Sequence, residues 1–131
     1  MELGLKGRSA LITGGSKGIG LAVAEEFARE GVDLHLAARG EGELNAAASR
    51  LAREYGVKVA THAVDLANRA ARDALAHDCA HVEILVNNAG AIPGGGIDAV
   101  SEDEWRAAWD LKLFGYVGIT RIVYQAMRRR R

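Results

Sequence analysis

Ala10-Leu11-Ile12-Thr13-Gly14-Gly15-Ser16-Lys17-Gly18-Ile19-Gly20 is the stretch on which the fold turns. Three apolar residues run into a cluster of glycines, and an apolar-periodic segment follows. The pattern predicts a buried strand, a tight turn and the start of a helix. Gly14 is expected to take the positive φ of the turn. Gly18 removes a side chain where backbone must approach a ligand, and Gly20 lets the helix lie close on the strand. The free N–H groups of the helix's first turn, at the positive end of its dipole, then face an anion, and the anion that suits such a cradle is the pyrophosphate of a dinucleotide. With 16 glycines in 131 residues, spaced glycines arise easily. The weight therefore rests on the strand before them and the helix after them.

Outward from this turn, strands and helices alternate. A helix from Gly18 carries Ile19, Val23 and Phe27 four apart and closes at Gly31. Residues 32–38 read as a second strand. Residues 41–55 read as a helix with Leu44, Ala48, Leu51 and Tyr55 on one face and Gly56 as its C-terminal stop. A third strand over 57–64, a short helix over 69–77 and a fourth strand over 84–87 follow. Beyond a glycine-rich loop at 91–96, Ser101-Glu102-Asp103-Glu104 has the S-x-x-E pattern of a capping box and opens a long helix to the end. Such alternation predicts an α/β fold of parallel βαβ units with right-handed crossovers: half of a doubly wound sheet in a single domain over 1–131. The outer edge of strand 4 is then open to another chain.

Composition narrows the function classes. The chain is 49% hydrophobic and 26% charged, with 17 basic residues balancing 17 acidic ones, so no overall field argues for nucleic acid or an anionic membrane. A single cysteine, Cys79, rules out an internal disulfide and suits a reducing cytoplasm. No apolar run reaches the roughly 20 residues of a membrane span, and a soluble cytoplasmic protein is expected.

The G-x-x-x-G-x-G spacing of Gly14, Gly18 and Gly20, together with Ile84-Leu85-Val86-Asn87-Asn88-Ala89-Gly90, resembles the short-chain dehydrogenase/reductase family from about Gly7 to Met127. The resemblance implies a Rossmann-like sheet of order 3-2-1-4, with a dinucleotide across its carboxyl ends between strands 1 and 4. It assigns the cofactor to Gly14, Ser16, Lys17, Gly18, Ile19, Gly20, Arg39, Asp65, Leu66, Asn87, Ala89 and Gly90. The family's chemistry is hydride transfer between NADP(H) and a carbonyl or alcohol carbon. Its catalytic Ser and Tyr-x-x-x-Lys lie beyond the helix that here ends in Arg128-Arg129-Arg130-Arg131, and no catalytic residue is assigned. The chain is thus expected to be the family's cofactor-binding part, truncated after that helix, acting on a small-molecule substrate only if the missing half is supplied. A non-catalytic NADP-binding sensor or oligomer-partner module is the alternative. The family also pairs its long helix with a twin, so a homo-oligomer is expected, with no nucleic acid or membrane partner.

Individual positions refine this. After strand 2 an NAD-binding fold usually carries Asp or Glu for the ribose 2′-hydroxyl. Here Leu36-Ala37-Ala38-Arg39-Gly40 offers none, and Asp33 comes too early. Arg39, with Lys17 from the glycine loop, suits the 2′-phosphate of NADP rather than NAD, unless both are plain surface cations. Asp65 is expected to accept the adenine amino group, to cap the following helix, or both. The resemblance makes Asn87 partly a sheet stabiliser and Ala89-Gly90 neighbours of the ribose.

Lys112 occupies the position of the family's relay Asn. It either turns toward the cleft, where an ammonium can donate but not accept, or snorkels above an aromatic face. Tyr124 and Arg128 form a Y-x-x-x-R that lies in the wrong element, and an always-charged arginine cannot serve a proton relay. His77, Cys79 and His81, crowded into five residues with no fourth donor nearby in sequence, make a poor metal site, and none is assigned.

Overall fold

A computed structural model describes residues 3–130. Four parallel strands, β1 (Ser9–Thr13), β2 (Asp33–Ala38), β3 (Val59–Ala63) and β4 (Ile84–Val86), form one sheet of order β3-β2-β1-β4. The helices are α1 (Gly18–Arg29), α2 (Glu41–Tyr55), α3 (Arg69–Asp78), α4 (Glu102–Trp109) and α5 (Gly115–Arg129). The fold is the Rossmann-like α/β arrangement expected.

Burial follows the two-residue period of the strands. Ala10, Ile12, Leu34 and Leu36 face one layer, where they pack with Ala24 and Ala28 of α1 and with Leu44, Ala47 and Leu51 of α2. Leu11 and Ala37 face the other, against Leu75 and Ala76 of α3 and Ile119 and Val123 of α5. β1 is central, and its Ala10, Leu11, Ile12 and Thr13 have no solvent exposure. Such a strand has to be apolar on both faces, which is why its sequence shows no alternation.

Three details depart from expectation. The buried stripe of α1 is Gly20, Ala24 and Ala28, whereas Ile19 is 77% exposed and Val23 and Phe27 only flank the core. Small residues win that face because the helix lies close to the sheet. At Gly20 an added Cβ would run into the carbonyl oxygen of Gly14. The second, third and fourth strands are shorter than the apolar runs that contain them. The final helix is not continuous, since a π-helical turn, Asp110–Phe114, separates α4 from α5. π-turns insert a residue and re-aim side chains, often at functional sites.

Candidate functional site

Thr13 ends β1, and its buried hydroxyl organises the carboxyl edge of the sheet. The hydroxyl donates to the carbonyl of Val86 at 3.3 Å and accepts from the backbone N–H groups of Asn88 at 3.0 Å and Ala89 at 3.1 Å. The Asn88 side-chain amide returns across the gap to the carbonyls of Thr13, at 3.1 Å, and Gly14, at 3.3 Å. The glycine turn and the segment after β4 are thereby fixed to each other. Gly14 has φ of 69°, and a Cβ there would meet Asn88 and the Ala89 backbone, so the turn accepts glycine alone.

Around this frame lies an open cleft of about 760 Å³. Of the residues expected at a cofactor, Gly14, Ser16, Lys17, Ile19, Arg39, Asp65, Leu66, Ala89 and Gly90 line it. Gly18, Gly20 and Asn87 lie outside the lining. Gly18 has φ of 56°, and a Cβ on it would meet nothing within 4 Å. Its requirement for glycine within the chain is thus conformational. Gly20 serves the helix–turn contact. Asn87 donates its amide to the Thr120 hydroxyl of α5 at 2.9 Å and has a buried, unpartnered side-chain oxygen.

Two helices open at this cleft, and neither has a side-chain cap. α1 starts after Lys17 with no capping hydrogen bond and no acidic residue in its first turn, and α2 starts after Gly40, also without a cap. Away from the cleft, Asn68 caps α3 by accepting from Ala71 N–H, and Ser101 and Glu104 cap α4 reciprocally. Uncapped first-turn N–H groups are orphan donors, and an anion satisfies them. Arg39, exposed in the lining, makes no ion pair among the described residues, and Lys17 lies 4.0 Å from Glu43 of α2. Asp65 does not cap α3. Its Oδ1 instead accepts from Ala67 N–H at 3.0 Å, a local turn that sets its carboxylate at the rim of the cleft.

The profile of the short chain dehydrogenases matches residues 8–131. The chain belongs to that family. It is 38% identical to the L-sorbose reductase of Gluconobacter frateurii, whose structure was solved with NADPH and L-sorbose, over 99% of this chain and 51% of that one, with a TM-score of 0.93. A short-chain dehydrogenase of Sphingobium yanoikuyae in complex with NADPH is 36% identical over 88% of this chain and 46% of its own, with a TM-score of 0.82. A 3-dehydrosphinganine reductase of Arabidopsis thaliana is 29% identical over 131 residues, which are 40% of its length. The chain spans about half the length of the relatives it matches, or less.

Within this short chain dehydrogenase fold, Lys112 stands in the π-turn with its exposed side chain laid against Gly90. A Cβ at Gly90 would come 3.2 Å from Lys112 Nζ. The ammonium is therefore held at the edge of the segment that lines the cleft, while Trp105 and Trp109 of α4 are exposed. Tyr124 is an exposed residue of α5 with the Arg128 guanidinium over its ring at 5.9 Å.

Sequence reasoning missed Glu43, Asn88 and Leu111. Asn88 was visible as part of the Asn-Asn-Ala-Gly run, but its bond to Gly14 depends on the β1–β4 pairing. It also missed a second cluster, outside the cleft. His35 of β2, His62 of β3 and Cys79 at the end of α3 bring their donor atoms within 4.8 Å of one another. His77, weighed with Cys79 and His81, is exposed on the last turn of α3 and takes no part. Burial lowers the pKa of His35, helped by His62 and His81, and lowers that of His62. Burial also pushes the Cys79 thiol up to about 11.

Proposed function

We propose that this chain forms the NADP(H)-binding part of a short-chain oxidoreductase that transfers hydride between the nicotinamide and a carbonyl or alcohol carbon. The observation that carries the proposal is the cationic end of the cleft. Arg39 follows β2 directly, makes no ion pair among the described residues, and lines the cleft together with Lys17 beside the uncapped N-terminus of α2. That set offers a guanidinium fork, an ammonium and orphan N–H groups to a 2′-phosphate, and the residue directly after β2 is Arg39 in place of the carboxylate that holds a ribose diol. The NADPH complexes of the Gluconobacter and Sphingobium relatives support the same cofactor.

The residues present fit such a dinucleotide. The N-terminus of α1 offers its N–H groups to the pyrophosphate, with Gly18 leaving the approach clear. Asp65 holds an acceptor at the rim for the adenine amino group, and Ala89 and Gly90 keep the ribose side of the cleft free of bulk. NADPH, when bound, supplies the hydride. The role of this chain is to bind the cofactor, orient it and screen its charge. Glu43, 4.0 Å from Lys17, adds a negative charge at that end of the cleft, which the Lys17 ammonium offsets.

A non-catalytic NADP-binding module is the second reading, favoured by Lys112 at the family's relay Asn, where an ammonium cannot accept a proton or a hydrogen bond. A pairing of the α4–α5 face with a second copy, in a reducing cytoplasm, completes the proposal. The deciding experiment is a pair of titrations, NADPH and NADH, on the purified chain, followed by hydride transfer from NADPH across a panel of ketones. Selective NADPH binding supports the cofactor assignment, and equal affinities refute it. Turnover above buffer by this chain refutes the binding-only module.

A further inference from the structure

β2 and β3 run parallel in a register that pairs His35 with Ala60 and Ala37 with His62. The two histidines are therefore two residues out of step on neighbouring strands and share the face that carries Leu11 and Ala37. α3 runs back beneath that face and delivers Cys79 at its C-terminus. His35 Nδ1 lies 3.0 Å from His62 Nε2, and Cys79 Sγ lies 3.6 Å from each of those two nitrogens. A tetrahedral ion with metal–nitrogen bonds of about 2.0–2.1 Å and a metal–sulfur bond of about 2.3 Å requires nitrogen–nitrogen separations of about 3.3 Å and nitrogen–sulfur separations of about 3.6 Å. The three donors stand at nearly those distances.

We propose that His35, His62 and Cys79 form a zinc(II) site, with solvent in the fourth position. The site is separate from the cofactor cleft and clamps the edge strand β3 and the end of α3 to β2. Its chemistry suits the ion. Each imidazole aims one ring nitrogen into the gap shared with the Cys79 sulfur, and a neutral imidazole nitrogen is an ordinary zinc donor. Zinc displaces the thiol proton of Cys79, forming one Zn–S bond and releasing one proton to solvent, with no change of oxidation state. The negative end of the α3 dipole adjoins Cys79 and favours a cation there.

His81 holds the far side of the His35 ring. Its Nε2 is 3.1 Å from His35 Nε2, the nitrogen not aimed at the other donors. With Nδ1 on the metal, that Nε2 holds the proton and donates it to His81, which fixes the tautomer that zinc needs. His81 is a positioning residue in this scheme. Half-buried His62 gives the ion its route in from solvent.

The test is a cobalt(II) titration of the metal-free chain, read by absorbance, with circular dichroism as the check on folding. The expected result is one equivalent bound with release of a proton and a thiolate-to-cobalt charge-transfer band, the cobalt then being displaced by zinc with loss of the band and no further proton. Cys79→Ala and His62→Gln should each abolish the band, and His77→Gln should leave it intact. His81→Phe should weaken binding roughly 10–100-fold with the band shape kept, and His81→Gln, which retains an acceptor, should restore affinity. If Cys79→Ala does not fold, His62→Gln decides, because its side chain is partly exposed. A folded chain with no saturable cobalt band, in which the three side chains are merely hydrogen-bonded, overturns the proposal. A band that survives in His62→Gln overturns it equally.

Discussion

Thr13 and Asn88 hold each other reciprocally. The Thr13 hydroxyl accepts from the Asn88 backbone N–H at 3.0 Å, and the Asn88 side-chain amide donates to the Thr13 carbonyl at 3.1 Å. Because Thr13 is wholly buried, neither bond exchanges readily with water. Thr13→Val keeps the shape of the side chain and removes the acceptor for two N–H groups, those of Asn88 and Ala89. Leaving a buried donor unsatisfied costs about 1–3 kcal/mol. Thermal melts should show Tm lower by several degrees in Thr13→Val and little changed in Thr13→Ser.

Arg39 should set the choice of cofactor. A charge-assisted hydrogen bond contributes about 1.5–3 kcal/mol, so Arg39→Ala should weaken NADPH by about tenfold or more and leave NADH nearly unchanged. Fluorescence titration with both cofactors checks this. Parallel losses for the two would place Arg39 away from the 2′-phosphate.

Gly18 and Gly20 should fail differently. At Gly20 a Cβ collides with the Gly14 carbonyl and the Asn88 amide, so Gly20→Ala should damage folding itself. Gly18→Ala meets open space and carries only the left-handed φ, a penalty of about 1–2 kcal/mol. Gly18→Val, in a chain shown to be folded, should abolish NADPH binding by filling the approach to the N-terminus of α1. Unchanged affinity in that variant would remove the pyrophosphate from this turn.

Glu25 should make stability pH-dependent in the acid range. The Glu25 carboxylate accepts from Arg50 at 3.1 Å, Tyr55 at 3.0 Å and Arg29 at 3.3 Å, tying α1 to α2. The bonds from Arg50 and Tyr55 lower its pKa below the usual 4.5. In that window the unfolded chain binds the proton and the folded chain does not, so the contribution of Glu25 is full above pH 4.5 and lost as pH falls through the folded value. Urea denaturation of Glu25→Gln against the unmodified chain should show a difference at pH 7 that shrinks on acidification. A difference that stays constant with pH would remove ionisation from the account.

The α4–α5 face should drive self-association. Trp109, Leu113, Phe114 and Val117 are 44–58% exposed along the π-turn and its flanks, and β4 pairs with β1 alone among the described strands. Sedimentation over a concentration series should show a dimer or larger species, and Phe114→Glu should shift it toward monomer. A clean monomer at high concentration would count against that face as an interface.

Much of the cleft was legible in local pattern. Gly14, Arg39 and Asp65 sit at strand ends, and a strand end is marked by the passage from an apolar run to glycine or charge. The residues that escaped are those whose role needs a neighbour from another element. Asn88 matters through Gly14, 74 residues earlier. Glu43 matters through Lys17. The face of α1 was misjudged for a related reason: periodicity finds the bulkiest stripe, Ile19, Val23 and Phe27, while close approach to the sheet selects the smallest, Gly20, Ala24 and Ala28.

The sequence by itself determined the class of fold, the strand that anchors it, the glycine turn and the cationic residue beside it, because each is written in the period, the breakers and the charges of one short segment. Tertiary structure alone decided which histidines meet. His77, Cys79 and His81 are neighbours along the chain, yet His35, His62 and Cys79 are neighbours in space, because parallel pairing of β2 with β3 and the return of α3 beneath them join residues 44 positions apart. Strand register and helix crossover fix that meeting, and neither is a property of any local stretch.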